Sequence, residues 1–358
     1  MWGLPGSFGM DPNIAAAGSS YVNSVQYVTI TIPTGAASNT ATISTVGSRA
    51  FVLFLGFQAT AALNPSISYA RVELTNSTTV TAYRNASSAS ETVTVQCVVV
   101  DATANLVSSV QSGTVTIAGG GVSGTASISS TNASYTVLHY LGLTNASTST
   151  QNISQIEAVL SVSGTTVTAT RLAAGSAETV GFIVIEFQSA ACNQAVQSYQ
   201  TAWNSGVTAT QSITSVTTGN SLLIYAGSSA NVAGNQAQGE QHASLTNATT
   251  VTFTVTTSSS NTKNYNFFVV EFASGVLASS VQRGTTTLTA VTSNTSTISS
   301  VNTSKAVMSF LHYTASQTTS NITNCVTNAT LTNSTTVTVA RSGSSNNVTG
   351  SWEVAEFN

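Results

Sequence analysis

Apolar and polar side chains alternate with a period of two through most of this chain, the pattern of strands half buried in a sheet. In residues 336–341, Val337, Val339 and Arg341 share one face while Thr338 and Ala340 share the other. Threonine suits the wet face of a pleat, because its branched Cβ favours extended backbone and its hydroxyl meets water. The same reading predicts strands over residues 25–32, 40–46, 50–57, 69–74, 79–84 and 92–101, separated by clusters of Gly, Asn, Ser and Pro. Two of them, 50–57 and 92–101, are apolar on both faces and are expected to lie centrally in their sheets. No stretch carries a helical period of useful length.

The pattern recurs. SVQ stands at residues 24–26, 109–111 and 280–282 and AVQ at 195–197, in steps of about 85 residues. The phrases VVVDA, IVIEF, FVVEF and EVAEF close each period at residues 98–102, 183–187, 268–272 and 353–357. LTNSTTVT at 74–81 returns as LTNATTVT at 245–252, as LTNSTTVT at 331–338, and weakly as LSVSGTTVT at 160–168. Each copy reads as a hairpin between two strands. Modules are therefore expected at residues 25–104, 105–190, 191–274 and 275–358, after an extended N-terminal arm at 1–24. Six or seven short strands in about 85 residues predict an all-β fold of four tandem antiparallel β-sandwich (Ig-like) modules, strung like beads.

Composition narrows the partners. Charged residues are 5% of the chain and hydrophobic residues 41%, so hydroxyls and amides must solvate the surface. A net charge of −3 with eight Lys and Arg offers no basic stripe for phosphates, which excludes nucleic acid as an expected partner. Cys97, Cys192 and Cys325 have neither disulfide-framework nor zinc spacing and are expected to be buried. No run of about 18 apolar residues predicts membrane insertion. The first residues show neither a basic segment nor an apolar core of a secretory leader, although the composition is that of an outward-facing protein.

Few residues offer chemistry. Asn76, Asn247 and Asn333 begin sequons, but in a chain this rich in Ser and Thr such matches arise by chance, and turn asparagines are the expectation. Arg84, Arg171 and Arg341 follow the hairpin at one fixed position, with Val255 in the third copy. With Glu91 and Glu178 they are expected to form cross-strand pairs at a sandwich rim, each contributing roughly 0.2 to 1 kcal/mol. Glu186, Glu271 and Glu356 recur in the closing strand, which favours a structural role. His139 and His312 fall in one strand of modules two and four at offset positions, each expected to face its own core or sheet surface. No catalytic, cofactor-binding or metal-binding set is expected, and no cofactor. Trp2, Leu4 and Phe8 are apolar anchors on the Gly-rich arm, expected to dock on a neighbour. Trp203 is either core or a stacking platform for a glycan, core being favoured.

The SVQ openings, the AFVLFLG and KAVMSFLHY middle strands, the TLTNSTTVTVAR hairpin and the EVAEF close resemble the small β-rich repeats of tailed-bacteriophage virion proteins: tail, fibre and decoration components. The resemblance covers residues 25–358. It implies a non-enzymatic virion structural protein anchored by its arm, with other virion proteins and sister copies as partners and host surface glycan as a further one. Assembly in the host cytoplasm and release by lysis would explain an outward-facing composition without a leader. The alternatives are a secreted bacterial or archaeal adhesin or filament subunit, at the cell surface, and an array of carbohydrate-binding modules.

Overall fold

The computed structural model describes residues 20–60, 64–88, 90–233, 235–318 and 322–358. Each period of the sequence becomes the same succession of strands, with one short helical turn after the third. The first comprises β1 (Val22–Ile32), β2 (Ser38–Thr42), β3 (Ala50–Ala59), α1 (Pro65–Ser68), β4 (Arg71–Asn76), β5 (Thr79–Tyr83) and β6 (Val93–Ala102). The second comprises β7 (Val107–Ile117), β8 (Ser123–Ser127), β9 (Thr136–Asn145), α2 (Ile153–Ile156), β10 (Val159–Ser163), β11 (Thr166–Thr170) and β12 (Glu178–Phe187). The third comprises β13 (Gln197–Trp203), β14 (Thr208–Ser212), β15 (Ser221–Ala230), α3 (Gln236–Gly239), β16 (His242–Asn247), β17 (Thr250–Thr254) and β18 (Lys263–Glu271). The fourth comprises β19 (Gln282–Thr289), β20 (Ser293–Thr297), β21 (Ala306–Ala315), β22 (Asn328–Asn333), β23 (Thr336–Ala340) and β24 (Asn347–Glu356), with a 3₁₀ turn at Ile322–Asn324.

These strands form five antiparallel sheets, three of six strands and two of three, set as the blades of a β-propeller. Four tandem Ig-like sandwiches are not formed. The finding that overturns them is strand sharing between repeats. Within a repeat the first, sixth and third strands pair, as do the second, fifth and fourth, and both sets leave one edge open. At three of the four joints the fourth strand of one repeat lies on the third strand of another, which covers the backbone groups those two edges would otherwise present. The three six-stranded orders are β1-β6-β3-β22-β23-β20, β2-β5-β4-β9-β12-β7 and β13-β18-β15-β10-β11-β8. The strand β22 of the last repeat thus lies on β3 of the first, and the ring closes. Around that closure Tyr21 N donates to Asn358 O at 2.8 Å and the Tyr27 hydroxyl donates to Ala306 O at 3.0 Å.

The joints explain why four repeats make five blades. Three of them are backbone bridges at Arg71 with Gly142, Val159 with Gly227, and Asn328 with Gly56. The glycines are required there. Their φ values are 93°, 85° and 103° for Gly56, Gly142 and Gly227, and an added Cβ would come within 2.4 Å of a carbonyl oxygen of the adjoining repeat. At the fourth joint the equivalent residue of β21 is His312, at φ 72°, and β16 and β21 stay in separate three-stranded blades. Side chains span this joint instead. The Tyr265 hydroxyl donates to Leu311 O at 2.7 Å, and Ser351 Oγ donates to Ala243 O at 2.8 Å.

A single apolar core runs through all four repeats, from Val22 to Phe357, with a second cluster around Trp203, Phe253 and Phe267 in the third. The closing phenylalanines meet in sequence around the axis, Phe187 edge-on to Phe272 at 5.6 Å and Phe272 edge-on to Phe357 at 5.2 Å. All three cysteines are free and buried. Strands β3 and β6 lie inside their sheet, as their two-faced apolarity predicts. The LTNSTTVT phrases are the β4–β5, β16–β17 and β22–β23 hairpins. At each tip the sequon asparagine folds back on its own Thr. Asn76, Asn247 and Asn333 Oδ1 accept from the backbone N–H of Thr78, Thr249 and Thr335, all at 2.9 Å.

Candidate functional site

Three of the one-turn helices begin after an asparagine, Asn64, Asn152 or Asn235, and end five residues later at Tyr69, Glu157 and Glu240. The backbone N–H of each end residue donates back into the turn, to Pro65 O, Ile153 O and Gln236 O. This closure aims the three side chains into the ring. The third strands bring aromatic rings to the same place, two residues before the joint position: Phe54, Tyr140, Tyr225 and Phe310. Phe54 meets Tyr140 edge-on at 6.1 Å, and Tyr140 meets Tyr225 edge-on at 5.6 Å.

Inside this aromatic collar lies a cavity of about 30 Å³, room for one or two water-sized occupants. Glu157, His312, Thr327, Tyr69 and Tyr313 line it. Glu240 of the third repeat stands beside this lining, with one carboxylate oxygen 3.7 Å from His312 Nδ1. Ligand-type atoms of Glu157, Glu240 and His312 lie within 4.8 Å of one another. Burial dominates their ionisation. Desolvation, reinforced by the facing Glu240, pushes Glu157 well above the usual carboxyl range. Desolvation pushes Glu240 up to about 7 and His312 down to about 4. The His312 ring stacks on Tyr225 at 5.2 Å and on Tyr313 at 4.4 Å.

The sequence reading missed this cluster, since its three members belong to three different repeats. A signal was present, however. Superposing the repeats puts Glu157 and Glu240 at one position, and puts His312 where the other three repeats have glycine. His139 also departs from expectation: it serves a joint, its Nε2 accepting from Phe54 N of the first repeat at 3.0 Å. Burial lowers its pKa to about 3, against 6.5 for an exposed imidazole. The unfolded chain then takes up a proton as pH falls through 6.5 while the folded chain does not. The stability that the neutral ring supplies is complete above pH 6.5 and declines on acidification toward pH 3, by about 1.4 kcal/mol per pH unit. Urea unfolding at pH 7 and pH 5 should show the wild type losing about 2 kcal/mol more than His139→Gln between the two conditions. Equal losses in both proteins would refute a neutral, joint-forming His139.

Other recurrent residues have structural work that repeats fourfold. The glutamine of each SVQ or AVQ phrase grips the backbone of one loop residue at both its N–H and its C=O. Gln26 holds Ser44, Gln111 holds Ser129, Gln197 holds Thr214 and Gln282 holds Ser299, with bonds of 2.6 to 3.1 Å. The closing carboxylates cap loop backbone: Asp101 accepts from Gly47 N, Glu186 from Asn132 N, Glu271 from Thr217 N and Glu356 from Asn302 N.

The arginines correct the rim-pair expectation. Arg84, Arg171 and Arg341 are buried, and their guanidinium groups bind main-chain carbonyls of several loops. Arg84 donates to Pro33 O, Ala36 O, Ile67 O and Glu91 O. Arg171 keeps its expected partner, at 3.6 Å from Glu178, but that pair is buried and not at a rim. A five-donor fork suits converging carbonyls better than a single acid on a rim. In the third repeat Val255 takes the arginine position. There Lys263 donates to Asn261 O at 3.0 Å and lies 4.5 Å over the Trp203 ring. Trp203 itself is 9% exposed and its indole N–H donates to Gln241 Oε1 at 3.0 Å, a core placement without an open ring for a sugar. Trp2, Leu4 and Phe8 lie outside the described residues.

Fold and site together define an all-β propeller made from four sequence repeats around a small central cavity lined by aromatic rings and a few polar groups. No protein-family model matches the chain, and no curated protein matches it in sequence. No helix among the described residues is long and apolar enough to cross a membrane.

Proposed function

We propose that this protein is a non-enzymatic structural component of a tailed-phage virion, a tail, collar, fibre or capsid-decoration part. The reading rests on the resemblance of its repeat phrases. The observation that supports it best is a closed ring carrying the same hairpin four times, with exposed tips at Thr75–Asn76, Ser163–Gly164, Thr246–Asn247 and Thr332–Asn333. Repeated weak contacts of this kind gain strength through effective concentration. With 5% charged residues, such contacts would rest on hydroxyls, amides and shape, and would change little with salt. Sister copies and other virion proteins are the partners proposed for this surface, and the residues ahead of β1 are the proposed attachment.

Gold-labelled antibody against the chain should decorate purified particles at regular positions. Deleting residues 1–19, which leaves Tyr21 and β1 in place, should strongly reduce incorporation. Finding the chain on the cell envelope and not on particles would replace this reading with the adhesin one. Undiminished incorporation of the deletion variant would remove the arm from the proposal.

A further inference from the structure

Two buried polar atoms lining the central cavity have no hydrogen-bond partner among the described residues. They are Glu157 Oε2 and the Thr327 hydroxyl, which lines the cavity from the fourth repeat, while the Glu240 carboxylate beside them faces Glu157 and Tyr313. All three residues are buried, with Thr327 at 1% and Glu240 at 0% exposure. No Lys or Arg lines the cavity. Two acids, an imidazole and a hydroxyl therefore converge on a space with nothing cationic to meet them. Leaving such atoms unmatched in an apolar collar is costly, and a bound cation is the occupant that would satisfy most of them at once.

We infer that this cavity is a binding site for one divalent transition-metal ion, Zn²⁺ or Mn²⁺ in class, ligated by Glu157, Glu240 and His312 with Thr327 beside it. The spacing fits. Ligand atoms within 4.8 Å of one another need only small side-chain rotations to reach an ion at about 2.0 to 2.2 Å from each. The donor set discriminates, because an imidazole among carboxylates suits zinc or manganese and is foreign to the all-oxygen shells of Ca²⁺ and Mg²⁺. His312 Nδ1 stands 3.2 Å from Gln241 O, the kind of backbone contact that fixes the ring of a metal-bound histidine.

The site also has a consequence for the ring. Its ligands come from the second, third and fourth repeats, and His312 occupies the one joint that lacks a backbone bridge. An ion there would tie the third and fourth repeats together where β16 and β21 do not pair. The metal would thus complete the ring mechanically, a role compatible with any function of the outer surface.

The test uses the whole chain, unfolded in EDTA and refolded with ZnCl₂, MnCl₂, MgCl₂ or CaCl₂, so that entry into a closed cavity is not limiting. Elemental mass spectrometry after gel filtration should find one Zn²⁺ or Mn²⁺ per chain and no retained Mg²⁺ or Ca²⁺. Thermal unfolding should shift upward by several degrees with the retained metal, as binding to the folded state alone requires. His312→Gly restores the residue used at the other joints. It should fold in EDTA at least as stably as the wild type, yet weaken metal binding more than about 100-fold. Glu240→Gln, which keeps the side-chain shape, should weaken it likewise. A wild type that retains neither metal and whose unfolding ignores both overturns the inference, as does wild-type affinity in His312→Gly.

Discussion

Gly142→Ala should destabilise the protein by about 4 kcal/mol or more, whereas Gly35→Ala should cost only about 1 kcal/mol. Both glycines have positive φ, 85° and 81°, so both variants carry the left-handed penalty of a Cβ. Only Gly142 has a neighbour in the way. Its added Cβ would lie 2.3 Å from Ala70 O and 2.8 Å from Arg71 Cα, backbone atoms of the adjoining repeat, while nothing lies within 4 Å at Gly35. The excess cost of the first over the second therefore measures the joint between the first two repeats. Gly56→Ala should behave like Gly142→Ala, because the same approach closes the ring, at 2.2 Å from Thr327 O. Urea unfolding of the three variants checks this. Equal, small losses would mean that the repeats are not pressed together as described.

Arg341→Met should lose about 3 to 5 kcal/mol, an unusually large effect for an arginine that touches no acid. Its guanidinium donates to Val291 O at 3.0 Å, Asn324 O at 2.6 Å, Ser345 O at 2.8 Å and Asn346 O at 2.7 Å. Methionine would fill much of the volume and leave these loop carbonyls without their charge-assisted donors. Arg341→Lys should recover less than half of the loss, since one ammonium on a flexible stem cannot reach carbonyls in several directions. The third repeat shows the requirement is for loop tethering and not for arginine as such. It uses Val255 with Trp203 and Lys263, three changes made together. Denaturant unfolding of Arg341→Met with losses below 1 kcal/mol would show that water replaces the guanidinium and that the hub contributes little.

Much of the local structure was legible in the sequence. The strands read from alternation at 25–32, 50–57, 79–84 and 92–101 coincide with β1, β3, β5 and β6 to within a few residues. LTNSTTVT was legible as a hairpin from its turn residues, and the structure adds why the asparagine stands there. Its carboxamide oxygen binds the N–H two residues on, a contact made in every full copy of the phrase. The glutamine of SVQ was visible only as a marker of period, because its two bonds go to a loop about 18 residues away. The central cluster was less visible still. Glu157 and Glu240 each look like an isolated acid until the repeats are superposed, and His312 looks like a core histidine until the glycines at its equivalent positions are seen.

By itself the sequence determined which residues are strands, which of their faces are apolar, where the hairpins turn and how often the unit is repeated. These follow from side-chain alternation and turn chemistry, which act over a few residues. Only the tertiary structure decided that the units share sheets instead of closing as separate sandwiches. The edge of a three-stranded sheet presents N–H and C=O groups that are the same for every residue, so the pattern of side chains does not name the strand that will cover it. Glycine at three joints and histidine at the fourth settled where backbones could approach, and that approach gathered two glutamates and an imidazole from three repeats at the centre of the ring.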